Sequence, residues 1–206
     1  MSQHATSISD INQLDIEGET ALMKASKYGD VATVTDLLSK RADVYLVNST
    51  GETALILASQ AGYNDIVIKL LAAGSNIHHR SHAGTAIIMA AQEGHTEVLK
   101  TLIQAGANIN DVNTDSNDTP LHLVLKHIRE RNHRKKLVQL LVEAGANIHA
   151  KNDEGETPLS LASVLRDPVK TEILSILGKK RGGRKTLGRR KPQRRRKTQR
   201  RRTRRC

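Results

Sequence analysis

Between Gly51 and Arg80 the apolar residues fall into two short runs of helical spacing, each bounded by glycine. Ala54, Leu55, Leu57 and Ala58 form one apolar face behind Thr53, whose hydroxyl can cap a helix start, and Gly62 ends the run in a left-handed conformation. Ile66, Val67, Leu70 and Leu71 occupy the i, i+1, i+4 and i+5 positions of a second stripe, which Asn64 or Asp65 starts and Gly74 stops. The pattern predicts two antiparallel helices followed by a polar loop that leads to the next glycine. Each predicted helix is shorter than the roughly 12 residues below which isolated helices are marginal, so the hairpin needs a neighbour to cover its apolar face.

The neighbours are in the sequence. The threonine that opens this unit recurs as Thr20, Thr53, Thr85, Thr119 and Thr157, at spacings of 33, 32, 34 and 38 residues. A period near 33 predicts a stack in which each unit touches only those beside it.

Thr119-Pro120-Leu121-His122, Thr157-Pro158-Leu159-Ser160-Leu161-Ala162 and the unit ends Ala105-Gly106-Ala107-Asn108-Ile109-Asn110 and Ala144-Gly145-Ala146-Asn147-Ile148-His149 carry a specific resemblance. The chain resembles the ankyrin repeat family over roughly residues 15–177, in units of about 15–47, 48–80, 81–112, 113–151 and 152–177. The resemblance implies an all-α solenoid of about five helix-turn-helix units with connecting β-hairpin loops. It also implies a concave surface lined by loop tips and first helices, and protein binding as the activity.

Departures from the pattern are local. Arg41 stands where the family has a glycine after the second helix, which suits an end unit, and Asn117 replaces a turn glycine with a residue that tolerates the left-handed region. Unit four is about five residues longer between His122 and Leu137 and lacks the turn glycine. Its Lys126, Arg129, Arg131, Arg134, Lys135 and Lys136 read as a solvated helix extension in preference to a phosphate or acidic-partner patch. Unit five is lengthened by Arg166-Asp167-Pro168-Val169-Lys170, with Pro168 suited to a first helical turn, and closes the stack.

Charge divides the chain in two. The 206 residues hold 33 Lys or Arg against 21 Asp or Glu, yet 17 of the basic residues and no acidic ones lie between Gly178 and Cys206, leaving 16 basic against 21 acidic elsewhere. Residues 1–14 carry no repeat signature and are expected to be loosely ordered, and the tail, 178–206, is too poor in apolar residues to order itself. Its Lys179, Lys180, Arg181, Arg189, Arg190, Lys191, Arg194, Arg195, Arg196, Lys197, Arg200, Arg201 and Arg202 have the composition of nuclear import signals and of nucleic-acid-binding arms. Gly182-Gly183-Arg184-Lys185-Thr186 resembles, in composition, basic C-termini on proteins of large DNA viruses. The chain contains no apolar run of membrane-spanning length and no apolar leader, which implies an intracellular protein; the basic tail favours the nucleus, with the cytoplasm as the alternative. The single Cys206 excludes a disulfide scaffold and a cysteine-built zinc site.

Nothing in the pattern reads as catalytic, and no cofactor or small-molecule substrate is implied. His78, His79 and His82 share a predicted loop without a neighbouring carboxylate or cysteine and read as loop histidines, while His95 and His122 match structural positions of the repeat. Asp65, Glu97 and Glu172 fall near the starts of second helices, where carboxylates meet the positive end of the dipole. The glycines form no phosphate-cradling motif, and with three Tyr, no Phe and no Trp the folded part lacks platforms for stacking bases.

Protein contact is left as the expected role of the repeats. By resemblance the contact positions are Glu17, Glu19, Lys27, Tyr28, Val47, Ser49, Thr50, Glu52, Gln60, Arg80, His82, Gln92, Glu93, Val112, Thr114, Asp115, Lys151 and Asp153, with Tyr28 as the anchor. The expectation is a non-enzymatic scaffold whose basic tail engages nucleic acid or an import receptor. The alternative is a nucleic-acid packaging or chromatin protein in which the tail is the main binding element.

Overall fold

The computed structural model describes residues 11–179. Among them ten helices alternate between two layers. α1 (Ala21–Tyr28), α3 (Ala54–Ala61), α5 (Ala86–Glu93), α7 (Pro120–His127) and α9 (Pro158–Ser163) pack in succession as one layer. α2 (Val31–Ser39), α4 (Asn64–Ala72), α6 (Thr96–Gln104), α8 (Arg131–Glu143) and α10 (Val169–Lys179) form the other, each packed against the first helix of its own unit.

The first helices start and stop as their residues dictate. The hydroxyls of Thr20, Thr53 and Thr157 accept from the backbone N–H groups of Met23, Ile56 and Ser160 at 3.2, 3.4 and 3.0 Å. Gly62 closes α3 at φ 86°, and a Cβ there would lie 2.6 Å from the His95 ring, so glycine is required by conformation and by close approach together. The next helix, α4, starts at Asn64, as the sequence leads one to expect, but the residue that flanks it is Tyr63 and no side chain caps it. The tight turn supplies the acceptors itself, through Asn64 N–H to Gly62 O at 3.0 Å and Ile66 N–H to Tyr63 O at 3.1 Å. Asn64 instead accepts from the Thr101 hydroxyl of the following unit at 2.7 Å.

Leu55 and Ile56 on α3, Ile87 and Ile88 on α5 and Leu121 on α7 fill the seam of the first layer, with Ile66, Leu70, Leu99, Leu102, Leu137 and Leu141 beneath them, all close to fully buried. This continuous core supplies the stability that no single hairpin has.

The connecting loops form tight turns, and no strand occurs among the described residues; Arg80 and Thr85 make an isolated antiparallel bridge. Backbone bonds close the turns, from Asp15 to Glu19 at 3.1 Å and from Asn48 to Glu52, Asn113 to Asp118 and Asn152 to Glu156 at 3.0 Å each. The tips then pair with one another across units, His82 N–H to Thr50 O at 3.2 Å and Asp153 N–H to Ser116 O at 3.0 Å, which takes the place of ladders within the expected hairpins.

Asn117 takes φ 53°, the left-handed conformation its residue type tolerates, while Arg41 takes φ 65° at the position where Gly74, Gly106 and Gly145 have φ 89°, 91° and 107°. An arginine there carries a backbone cost of about 1–2 kcal/mol, against which glycine loses about 0.5–1 kcal/mol in chain entropy. Arg41→Gly is therefore expected to stabilise the fold by about 0.5–1 kcal/mol in chemical denaturation; a destabilised variant would show that the arginine is held by contacts outweighing its strain.

The length added to unit four goes into its second helix. α7 ends at the buried Ile128 in extended conformation, and α8 runs for 13 residues against nine in α2, α4 and α6. The Glu130 carboxylate caps it, accepting from Asn132 N–H at 2.9 Å and from His133 N–H. The basic side chains here are largely engaged: Arg131 meets Glu172 at 2.6 Å, Lys135 meets the same carboxylate at 3.8 Å, and the Arg134 guanidinium donates to Ile128 O. Lys126 does not belong to this extension at all; it turns to the loops, into the ion network described below. Unit five closes the stack with the six-residue α9 and with α10, which Pro168 immediately precedes.

Candidate interaction surface

Each second helix leads into a loop and each loop into the next first helix, so the loop tips and the first helices carry the contact positions expected from the resemblance. Glu17, Val47, Ser49, Thr50, Arg80, His82, Thr114, Asp115, Lys151 and Asp153 are exposed along the tips. At the first-helix ends Tyr28 is 70% exposed, Gln60 and Glu93 are exposed, and Lys27 and Gln92 are half-buried. Glu52 and Val112 are half-buried, whereas Glu19 is buried, with its carboxylate 3.0 Å from the Lys27 ammonium, which lies 5.7 Å from the Tyr28 ring centroid. Lys179 ends α10, and Lys180, Arg181, Arg189, Arg190, Lys191, Arg194, Arg195, Arg196, Lys197, Arg200, Arg201 and Arg202 lie outside the described residues, as do residues 1–10.

The face is held by side chains that reach between units. His79 Nε2 lies 2.9 Å from Gly51 O, closing the second unit's two ends on one another, and His95 Nε2 lies 2.9 Å from Gln60 O, so that imidazole ties the third unit to the second. Among the described residues no three His, Cys, Asp or Glu side chains converge as metal ligands.

Between units four and five the links condense into a network. The Lys126 ammonium lies 3.1, 3.3 and 3.2 Å from carboxylate oxygens of Asp118, Glu154 and Glu156. The buried Asp118 also accepts from Asn152 at 2.8 Å and from Ser116 at 2.8 Å. Burial alone would raise the Asp118 pKa; the hydrogen bonds from Asn152, Ser116 and Lys126 outweigh it and hold the carboxyl below its ordinary range. Thr119 N–H donates to His122 Nδ1 at 3.1 Å, which leaves Nε2–H to donate to Glu156 O at 3.1 Å. Burial holds this imidazole below its ordinary pKa of 6.5, against the opposing pull of the Glu156 carbonyl.

The sign for His122 follows from its depressed pKa. The folded state binds the proton less readily than the unfolded chain, so the contribution is whole above pH 6.5 and falls as the solution is acidified below it. Asp118 adds a second loss below its ordinary value of 3.8, since its depressed carboxyl stabilises the fold only while ionised. Stability is expected to decline below pH 6.5 by at most about 1.4 kcal/mol per pH unit on account of His122. His122→Ile, which copies the residue types at Ile56 and Ile88, flattens that upper limb; a pH profile unchanged by the substitution would assign the decline to another group.

The network was not read from the sequence, although a signal existed: an acidic residue precedes the threonine in four units, as Glu19, Glu52, Asp118 and Glu156, and a lysine follows it by seven as Lys27 and Lys126.

A two-layer stack of helical hairpins with an open face and interlocked loops defines a repeat-built interaction module. The family model described as ankyrin repeats, three copies, matches residues 3–81, 68–152 and 87–186. The chain belongs to the ankyrin repeat family, whose repeats generally mediate protein–protein interaction and are typically non-enzymatic. No curated protein matches the chain. No helix among the described residues is long and apolar enough to cross a membrane.

Proposed function

We propose that the protein is a non-enzymatic scaffold: its loop face grips a protein partner and its basic tail carries the complex to nucleic acid or to an import receptor, with the nucleus as the place of action. The observation that carries the reading is the exposure of loop-tip and first-helix side chains in every unit between Glu17 and Asp153, among which Tyr28 offers a large, rigid surface of the kind that anchors interfaces. A second reading, a packaging or chromatin protein bound mainly through its tail, is favoured by the 17 Lys or Arg without an acidic residue between Gly178 and Cys206. Truncation before Lys180 separates the two. The scaffold keeps its protein partners and loses accumulation in nuclei above the cytoplasmic level, whereas the second reading loses every macromolecular partner.

A further inference from the structure

We infer that the loop face also binds the protein's own basic C-terminal segment, Lys180–Cys206, so that the tail and an external partner compete for one surface. The inference rests on the reading of that face as the binding surface.

The net negative charge of the described residues is confined to one side. The loop and first-helix segments 15–28, 48–61, 80–93, 113–127 and 151–165 hold ten acidic residues against five basic, whereas the rest of residues 11–179 holds ten acidic against twelve basic. Three of the five bases are already engaged, Lys24 with Asp15, Lys27 with Glu19, and Lys126 with Asp118, Glu154 and Glu156. Glu17, Glu52, Glu93, Asp115 and Asp153 make no ion pair with a described cation.

A second observation points to a ligand. Glu19 is 5% exposed, and while one carboxylate oxygen meets Lys27, its Oε2 is buried without a hydrogen-bond partner. It borders an open recess shared with Leu14, Asp15 and Lys24. A buried carboxylate oxygen without a donor is costly, and an incoming cationic donor satisfies it.

Topology brings the tail to the same side. The C-terminal ends of α2, α4, α6 and α8 each deliver the chain to a loop, and α10 ends at Lys179 where a sixth loop would begin. The 27 residues from Lys180 to Cys206 contain 16 Lys or Arg. At about 3.3 Å per extended residue they reach roughly 90 Å, against roughly 40 Å for four inter-helix steps of about 10 Å from unit five to unit one. Individual exposed ion pairs are weak, but a tethered segment with many cations engages a row of carboxylates at high effective concentration.

The test uses the full chain. In one variant the loop-face acids become amides (Glu17→Gln, Glu52→Gln, Asp115→Asn, Asp153→Asn), which keeps shape and hydrogen-bond acceptors; in a control variant four exposed acids of the other layer do so (Asp36→Asn, Asp65→Asn, Glu97→Gln, Glu143→Gln). Trypsin cleavage within residues 184–205, followed by mass spectrometry at low salt, is expected to be about fivefold faster in the loop-face variant than in the parent or the control. The difference is expected to vanish at high salt, and circular dichroism confirms that all three are folded. Equal rates in parent and loop-face variant overturn the inference. So do equal rates in the two variants, which would assign the effect to net charge, and protection that grows with protein concentration, which would assign it to another copy's tail. If the loop-face variant loses an external protein while tail cleavage is unchanged, the binding face stands and the internal contact falls.

Discussion

Leu55→Ala lowers the stability of the protein by about 2–5 kcal/mol, and Leu174→Ala costs less than half as much. Leu55 is 1% exposed on α3, which packs between α1 and α5, so truncation leaves a cavity walled on both sides by neighbouring units that cannot collapse independently. Leu174 is only half-buried on α10, in the closing unit, where one side has no further repeat among the described residues. Chemical denaturation of the two variants gives the comparison, and equal losses would contradict a linear stack in which stability is a sum over neighbours.

If the tail binds nucleic acid as proposed, the affinity is expected to fall by about 10⁴ as salt rises from about 50 to 200 mM. Engagement of about eight tail cations with phosphates gives a slope of log affinity against log salt near −7 on a duplex and about −6 on a single strand. Two unrelated duplexes of equal length are expected to bind alike, because phosphate contacts position a protein without reading its sequence, and the tail has no aromatic residue to stack on bases. A shallow slope with strong preference for one duplex would rule out the electrostatic mechanism. Failure to bind either duplex at low salt would leave import-receptor recognition as the role of the tail.

The parts of the fold legible in the sequence are those decided within one unit. The threonine hydroxyls at Thr20 and Thr53, the left-handed turn at Gly62 and the tolerant Asn117 each act on residues a few positions away, so their spacing alone foretells the structure. What the sequence concealed is decided between units. Lys126 finds Glu154 from 28 residues away because α7 faces the loop of the next unit, a neighbour that local helical periodicity does not reveal. Glu19 stands at the position of the half-buried Glu52 and Glu156 and the buried Asp118, and Lys27 folds over it, so it does not join the exposed contact positions. Asp30 and Glu130 cap α2 and α8 with their carboxylates, whereas α4 and α6 have no side-chain cap, and the turn before α4 supplies acceptors from its own backbone; the loop tips bond to one another in place of the expected strand ladders. The length of unit four was visible, but its placement as an extra turn of α8 depends on Ile128, which packs over Gly94 where His95 stands over Gly62.

The central claim is that the loop face, and not the outer helices, is where a protein partner binds. Its most direct test is affinity capture on full-length protein, comparing the parent with a variant carrying Tyr28→Ala together with the four loop-face amide substitutions, and with the four-amide control on the outer layer. The account predicts that the parent and the outer-layer control recover the same proteins while the loop-face variant, folded by circular dichroism, loses them. Recovery of the same proteins by the loop-face variant, or their loss from the outer-layer control alone, would contradict it.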